Sequence, residues 1–442
     1  MTHTTHIDKV AAIADFLRTA EPGLLSLRKN GVSHMMPLAS DARRADAKVD
    51  LRALTEILEI DAEHETCSVE PGVTFAKLVR KTLEYGLIPK LVPELKTITV
   101  GGAVSGGSVE SMSFRHGGLH DTAIAYECVT GTGEILECSR DQNPEIFEML
   151  HGSYGTLGVL TRIDLQLTRA LPFVRMSYPK FTRFEDFYAA LLDVCASKEF
   201  DFVDAIIHGP DRFVLCLGTM VAGAPGSHGY GIGTDIFYKS TWRRSEDFIP
   251  IYDYFFRYDT DVHWLSRKIV GLENPIVRRL FGRFVLGSTR MLELANLFAP
   301  ILQKGRLPDV VLDCFVPSSR FEEFYRFYES TLNFFPLWIV PYRIDRPYRF
   351  VSDEFAGRTS DQLFIDCAIY GKPNDRPGID YYTVLEEHLF GLGALKALIA
   401  RNTYSRERFW QIYSEERYSR AKAAADPTGR FRGLYEKVHC RI

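Results

Sequence analysis

The chain has 442 residues, of which 46% are apolar and 25% charged, and its formal net charge is −4 with a pI near 6.3. This length and apolar fraction are enough for two or three folded domains. The mildly acidic balance, without any block of five or six like charges, argues against a nucleic-acid partner. No run of eighteen apolar residues occurs, so we expect no membrane span, although peripheral membrane contact stays open.

The N-terminus lacks the basic and apolar regions of a signal peptide, so a cytoplasmic location is expected. The eight cysteines form no C-x-x-C pair, which argues against zinc, iron–sulfur clusters and a disulfide framework and fits a reducing compartment. His116 and His120 are four residues apart, but the two glycines between them oppose a helix and no glutamate accompanies them. We therefore expect no metal site, and place His116 along a ligand-binding loop instead.

The first hundred residues read as strands joined by short turns. Residues 25–34 are predicted to be a strand that runs into a polar turn, and residues 49–61 to be tied to a strand pair. Residues 66–86 predict a strand, a Pro-Gly turn and an amphipathic helix that ends at Gly86.

Residues 97–118 concentrate six glycines among serines and threonines and show no helical period. A bare main chain of this kind can approach a pyrophosphate or a ring system closely. The spacing matches neither a P-loop nor a G-x-G-x-x-G fingerprint, and an ordinary glycine-rich surface loop is the alternative. We interpret this segment, called the glycine segment below, as the candidate ligand site.

Downstream, residues 126–138 predict a hairpin around the Gly131-Thr-Gly133 turn. Residues 147–167 predict a helix end, a glycine turn and a strand that alternates apolar with polar side chains. Neither stretch contains a G-x-S-x-G elbow, so a serine hydrolase is not expected.

Residues 170–400 mix predicted strands with predicted helices at 184–197 and 320–332, as in an antiparallel sheet backed by helices, which makes the fold class α+β. Aromatic side chains are dense between Phe237 and Trp264. Such a band either walls a tunnel for an elongated apolar substrate or packs in the core.

The order of these segments resembles the FAD-binding half of the vanillyl-alcohol oxidase and para-cresol methylhydroxylase superfamily. The similar motifs are a first phosphate loop at 28–34, Val-Glu-Pro-Gly-Val-Thr at 69–74, Thr-Val-Gly-Gly at 99–102 and Gly-Thr-Leu-Gly-Val-Leu-Thr at 155–161. Further stretches at 92–102, 110–114, 274–282, 334–341, 369–373 and 406–410 resemble its delta-24 sterol reductase branch. Bacterial reductases of methylene-branched fatty acyl chains have similar loops, and both subgroups stay open.

The resemblance implies a two-subdomain PCMH-type FAD-binding domain at 1–169, a substrate (cap) domain with an antiparallel sheet at 170–400, and a C-terminal segment at 401–442 that returns to the FAD domain. It also implies the residues that contact FAD. These are Lys29, Asn30, Gly31, Val32, Ser33, His34, Thr97, Thr99, Val100, Gly101, Gly102, Ser105, Gly106, Gly107, Ser111, Ser113, Phe114, Gly155, Thr156, Gly158, Val159 and, beside the isoalloxazine, Tyr413.

Some members of the superfamily tether the flavin to a histidine in the first loop. Val32 stands at that position here, so the resemblance implies noncovalent FAD, with His34 as the nearby residue that would change this expectation.

The activity that the resemblance implies is FAD-dependent reduction of a carbon–carbon double bond in a sterol side chain, an isoprenoid or a methylene-branched acyl chain, with NADPH or NADH as donor. Alternatives are an alcohol or sugar oxidase or dehydrogenase, a dehydrogenase that desaturates an acyl chain, and a noncatalytic lipid-binding protein on the same scaffold. Alkene reduction also needs a proton donor. We assign this role to Tyr370, with Lys372 expected to lower its pKa. The sequence does not specify the oligomeric state.

Overall fold

The computed structural model describes residues 4–30, 45–232, 235–269, 271–291 and 307–439. Its strands are β1 Leu25–Arg28, β2 Ala47–Asp50, β3 Ile57–Asp61, β4 Thr66–Val69, β5 Leu87–Pro89, β6 Ala123–Val129, β7 Ile135–Ser139, β8 Val159–Arg169, β9 Phe173–Ser177, β10 Lys180–Phe181, β11 Phe202–Gly209, β12 Arg212–Val221, β13 Glu246–Pro250, β14 Val310–Pro317, β15 Leu337–Arg343, β16 Leu363–Lys372 and β17 Leu395–Lys396.

Fifteen α-helices lie within the same ranges. They are α1 His6–Thr19, α2 Phe75–Leu83, α3 Val100–Gly106, α4 Ser113–His116, α5 Pro144–Leu150, α6 Phe184–Ser197, α7 Phe237–Arg243, α8 Ile251–Phe255, α9 Pro275–Val285, α10 Phe321–Thr331, α11 Asp353–Ala356, α12 Tyr381–Leu392, α13 Arg406–Ile412, α14 Glu415–Ala425 and α15 Leu434–Val438. In these ranges, no helix is long and apolar enough to cross a membrane.

Six strands form the first sheet, in the order β3-β4-β8-β6-β7 with β5 also beside β8, and every pair is antiparallel. The central strand β8 alternates buried and half-buried side chains, as expected for a sheet with one face on the core. At the β6–β7 turn, Gly133 has φ +81°, and a Cβ there would lie 2.5 Å from Ala14 O. Only glycine fits this turn, which therefore packs directly on α1.

A parallel pair, β1 and β2, lies beside α1. The helix begins with a capping box between Thr5 and Asp8 and buries Val10, Ile13 and Leu17 in a small separate core. The C-terminal segment closes onto this region, because Leu25 N donates to Arg430 O at 2.7 Å. The first and last parts of the chain therefore form one unit.

The second sheet has nine described strands in the order β13-β9-β12-β11-β15-β16-β14-β17, with β10 beside β12, and it is also antiparallel. Its two faces have different neighbours. Side chains such as Ile339 pack in one core with α6, α10 and α12, whereas Trp338, Val340 and Tyr342 share a core with the first sheet. The face that carries these last three residues therefore lies toward the glycine segment.

The α+β fold class is confirmed, and so are the hairpin at 126–138 and the helices at 184–197 and 320–332. One expectation was wrong. The glycine segment is not loop throughout, because it contains α3 and α4. Of the two alternatives for the aromatic band, core packing applies to most of it, since Phe237, Tyr254, Tyr258 and Trp264 are almost fully buried.

Candidate functional site

The glycine segment begins with a capped helix. Thr99 is the N-cap of α3, and its hydroxyl accepts a hydrogen bond from Gly102 N at 3.3 Å. Gly101 lies against Pro71, where a Cβ would come within 2.5 Å of the proline Cβ. The Val-Glu-Pro-Gly turn thus positions the start of α3, and this contact explains why the segment needs glycine at position 101.

Lys29 lies directly over this helix start, since a Cβ at Gly102 would lie 3.2 Å from Lys29 Nζ. The surrounding protein desolvates the ammonium and lowers its pKa, although the side chain still reaches solvent. Lys29 forms no ion pair with a carboxylate of any described residue. A cation beside the N-terminus of a glycine helix fits a diphosphate. Among the predicted first-loop residues, Asn30 donates to Arg52 O, and Gly31, Val32, Ser33 and His34 lie outside the described residues.

The end of α3 contacts the glycine turn at 152–158. Tyr154 OH donates to Gly106 O at 3.0 Å, and Tyr154 N donates to Ser105 O at 3.1 Å. Gly107 has φ +71°, and a Cβ there would meet no atom within 4 Å. The backbone at Gly107 therefore borders open space, whereas a Cβ at Gly106 would lie 3.6 Å from Ile399 Cγ2.

The other predicted FAD contacts have different surroundings. Thr97 Oγ1 is 3.4 Å from Ser288 Oγ, Tyr254 OH donates to Ser111 Oγ at 3.0 Å, and Ser113 Oγ accepts from Glu110 N. Phe114 is buried in the core behind the second sheet. The side chains of Thr97, Ser111 and Ser113 therefore contact polar groups of the protein itself, and the side chain of Phe114 packs in its core.

The glycine turn at 152–158 contacts β1 and the C-terminal segment. Gly155 has φ +72° and lies against Leu27, while Thr156 O accepts from Lys422 Nζ at 2.5 Å. Gly158 lies against Cys128, and Val159 packs in the small core beside α1.

A cavity of about 80 Å³ lies where the glycine segment, the second sheet and the C-terminal segment meet. Gly106, Gly107, Ser108 and Val109 form one wall. Its eight aromatic lining residues are Tyr154, Phe315, Tyr342, Tyr348, Phe350, Trp410, Tyr413 and Tyr418. The predicted isoalloxazine neighbour Tyr413 is therefore at a cavity wall, and the lining suits a flat or elongated apolar ligand.

His120 also lines this cavity, where its Nε2 atom is 3.6 Å from Asp121 Oδ2. It is 6% exposed, and neither ring nitrogen has a hydrogen bond to a described residue. Burial lowers its pKa, so the imidazole is neutral. A buried polar group in this state gains from a ligand that supplies a donor or an acceptor. The residues present therefore fit a bound flavin or a substrate with an oxygen atom.

Replacing His120 by leucine should separate stability from binding. Because its nitrogens form no hydrogen bond with a described residue, we expect the free energy of unfolding of the ligand-free protein to stay equal or rise by about 1 kcal/mol. FAD or substrate affinity should fall. The matched control is His151→Leu, which removes the 2.9 Å contact with Tyr126 OH and should cost about 1 kcal/mol. Urea melts check this, and equal destabilisation of both variants would contradict it.

Tyr370 projects from β16 beside this cavity without lining it. Its hydroxyl donates to Asp313 Oδ1 at 2.7 Å, and Asp313 lies two residues before the cavity-lining Phe315 on β14. Burial and then the charge of Asp313 raise the pKa of Tyr370 well above its usual value. The expectation that Lys372 lowers this pKa was wrong, because Lys372 Nζ donates to Pro373 O instead.

The carboxyl partner has a pKa near neutrality. Burial raises the pKa of Asp313 to about 6, opposed by the hydrogen bond from Tyr370 and assisted by the charge of Glu94. Asp366, 2% exposed, is close enough to interact, and burial followed by the charge of Asp313 raises its pKa well above normal. This face of the second sheet thus carries two buried carboxyl groups whose pKa values are raised.

The buried His263 pairs with Glu94 and packs against Tyr370 of the second sheet. His263 Nε2 lies 2.9 Å from Glu94 Oε1, and the His263 ring centroid is 4.5 Å from that of Tyr370. Burial opposes the shift, but hydrogen bonds from Glu110 and His263 lower the pKa of Glu94 to about 2. Burial and the Glu94 charge raise the pKa of Glu110 well above its normal value. Sequence reasoning missed this group, because 169 residues separate its two contacting members.

Lys396, the one lysine or arginine among the described residues that line the cavity, forms a buried ion pair with Glu386. Lys396 Nζ donates to Glu386 Oε1 at 2.5 Å and to Arg401 O at 2.8 Å, and both ion-pair side chains are 1% exposed. The described wall therefore offers no free cation to a carboxylate or a phosphate. No group of three or more His, Cys, Asp or Glu residues in the described ranges is arranged to hold a metal ion.

Comparison with known proteins agrees with this site. Residues 5–139 match a family model described as an FAD binding domain. The chain is 25% identical to the human Delta(24)-sterol reductase over 87% of this chain and 76% of that protein, and 23% identical to the Pisum sativum Delta(24)-sterol reductase over 98% and 84%. It is 32% identical to cytokinin dehydrogenase 9 of Oryza sativa over 33% of this chain and 30% of that protein.

The glycine segment, the cavity and the family match define an FAD-dependent oxidoreductase with a PCMH-type FAD-binding domain. Within this class the chain is a homologue of the Delta(24)-sterol reductases over most of its length. The match to an FAD binding domain supports FAD as the cofactor, as the motifs indicated.

Proposed function

We propose that the chain reduces a carbon–carbon double bond of a lipid-like substrate, with NADPH or NADH as donor and noncovalent FAD as cofactor. The observation that carries this proposal is the apolar, aromatic cavity lined on one side by Gly106 and Gly107 and on the other by Phe315 and Tyr342 of the second sheet, with Asp313 two residues before Phe315 and hydrogen-bonded to Tyr370. The names of the human and Pisum sativum relatives support a sterol double bond. The absence of a free cation among the described lining residues favours an uncharged substrate over a free fatty acid.

We propose the domain organisation that the motifs implied: an FAD domain at 1–169, a cap domain at 170–400 and a C-terminal segment at 401–442 that returns to the FAD domain. It is supported by the first sheet ending at Arg169 and the second beginning at Phe173. Lys29 and the start of α3 would hold the FAD diphosphate, and Gly107 would leave room for the ring to approach the backbone. When bound, FAD supplies a hydride at its N5 atom.

The protein's own residues supply the proton. Tyr370 is the donor to the second alkene carbon, and the carboxyl of Asp313, 2.7 Å away, returns a proton to it. The Glu94–His263 pair packs against the Tyr370 ring and fixes its position. Tyr342, Tyr348 and Phe350 exclude water from the cavity.

Anaerobic turnover tests the function. Reduced nicotinamide should bleach the flavin of the purified enzyme, and a sterol with a Δ24 double bond or a methylene-branched acyl chain should then restore its colour. An alcohol or sugar oxidase or dehydrogenase is the second candidate, supported by the 158 residues similar to a cytokinin dehydrogenase. Flavin bleaching by alcohols, with oxygen consumption in air, and no response to any alkene would favour that candidate.

Substituting Gly102 tests the diphosphate site. In Gly102→Val the added side chain would press on Lys29 Nζ, 3.2 Å from the new Cβ, and occupy the space of an anion. We expect FAD content to fall at least about tenfold, because both the cation and the helix start are displaced. Gly391→Val is the control, since a Cβ there meets nothing within 4 Å. Full FAD content in the Gly102 variant, measured after gel filtration, would place the diphosphate elsewhere.

A further inference from the structure

Helix α9, Pro275–Val285, carries the most concentrated exposed apolar surface of the described chain. Ile276 is 70% exposed, Leu280 60%, Phe281 58% and Phe284 59%. Of the other large apolar side chains in the described ranges, Ile7 alone is more than 46% exposed. The spacing i, i+4, i+5 and i+8 places these four side chains on one side of the helix.

The opposite side of α9 is firmly attached. Arg278 is 2% exposed and forms a bidentate pair with Asp261, at 2.6 and 3.0 Å. Gly282 packs closely, because a Cβ there would lie 3.0 Å from Ile232 Cγ2. Asn274 caps the helix by accepting from Ile276 N at 2.9 Å. The apolar side is therefore a rigid surface.

This surface lies in a basic stretch of an acidic protein. Residues 267–290 contain six arginine and lysine residues and one glutamate, although Arg278 is paired with Asp261 and Lys268 with Asp309. Arg279 and Arg290 are exposed, and neither forms an ion pair with a described carboxylate. A cationic margin around an apolar helix side matches the headgroups of an anionic lipid surface.

The helix is also joined to the candidate site. Asp261, the partner of Arg278, lies two residues before His263, which packs on Tyr370. After the helix, Ser288 Oγ donates to Asp259 at 2.6 Å, and the same carboxylate accepts from Lys96 N next to the glycine segment. A partner that binds α9 would therefore lie on the same side of the protein as the elements that connect α9 to the candidate site.

We propose that α9 docks the enzyme on an anionic membrane surface, with Ile276, Leu280, Phe281 and Phe284 inserted at the boundary of headgroups and acyl chains. This inference goes beyond the proposed reaction and does not depend on it. A second copy of the chain is a poorer occupant, since a two-fold contact would bring the two cationic margins together.

Flotation of the purified FAD-loaded protein with vesicles tests the proposal. We expect binding to phosphatidylcholine vesicles that contain phosphatidylserine, and weaker binding to phosphatidylcholine alone. The variant Leu280→Gln/Phe281→Gln/Phe284→Gln should lose at least about tenfold in partition coefficient, because three large apolar side chains no longer insert. Arg279→Glu/Arg290→Glu should lose the preference for phosphatidylserine. The control, Ile124→Gln/Ile135→Gln/Ile379→Gln, alters exposed residues elsewhere and should bind as the unaltered protein does.

FAD content and melting temperature show that each variant is folded. Loss of binding in the α9 variant but not in the control supports the proposal. Equal binding by both variants, or no binding by the unaltered protein, overturns it. If the unaltered protein sediments as a dimer that the α9 variant converts to a monomer, and does not float, the surface is a subunit interface and the proposal is wrong. Because flotation does not depend on turnover, failure here leaves the proposed reaction intact.

Discussion

Replacing Tyr370 by phenylalanine is expected to lower kcat for alkene reduction by about 10²–10⁴-fold, the range of general acid catalysis. The change removes the hydroxyl that donates to Asp313 at 2.7 Å and leaves the ring on His263. Reduction of the flavin by nicotinamide needs no such donor, so its rate should stay within about twofold. Rapid-mixing measurements of the two half-reactions check this, and full turnover in the variant would remove Tyr370 from the mechanism.

The same pair predicts the pH dependence. The pKa of Asp313 is raised to about 6, so its carboxyl is protonated below that pH and ionised above it. When Asp313 is ionised, it accepts the hydrogen bond from Tyr370 and has no proton to return to it. The rate of alkene reduction should therefore fall as the pH rises through about 6. Asp313→Asn keeps the shape but cannot ionise, and should remove this fall. A profile that is the same in both proteins would show that Asp313 does not control proton delivery.

Replacing Lys396 by methionine is expected to lower the free energy of unfolding by about 3–5 kcal/mol, because it leaves Glu386 charged and buried without its partner. Thr403 N still donates to Glu386, at 2.9 and 3.1 Å, but cannot neutralise it. The double variant Lys396→Met/Glu386→Leu should recover much of this loss.

Lys239→Met provides the matched control for that loss. Lys239 pairs with Glu273 at 2.6 Å, but the two side chains are 41% and 23% exposed, so this change should cost less than about 1 kcal/mol. Denaturant melts of the three variants check the prediction. Similar losses for Lys396→Met and Lys239→Met would mean that water reaches the Lys396–Glu386 pair.

The elements that the sequence predicted well are those whose side chains repeat with a period. Helix α6 was placed at its observed bounds, and β8 was recognised by its apolar–polar alternation. Helix α3 was missed because glycine, alanine and serine carry no apolar period. It forms because Thr99 caps it and Pro71 packs on Gly101, a contact across the fold.

The candidate site was predicted in part for the same reason. Gly106, Gly107 and Tyr413 do border one cavity, as motif resemblance implied. The sequence predicted neither the Glu94–His263 pair nor the raised pKa values of Asp313 and Asp366, because they depend on which strands adjoin and how deeply each carboxyl is buried. The pKa of Tyr370 was misjudged because Lys372, two residues away in sequence, makes its contact with Pro373 instead.

The most direct measurement is mass spectrometry of the product made from an alkene lipid and reduced nicotinamide deuterated at its transferable position. The proposed site predicts a saturated product in which one former alkene carbon carries deuterium and the other a proton from solvent, and a Tyr370→Phe variant should form it far more slowly. Absence of any saturated product, while the same preparation oxidises alcohols with uptake of oxygen, would contradict alkene reduction at this site.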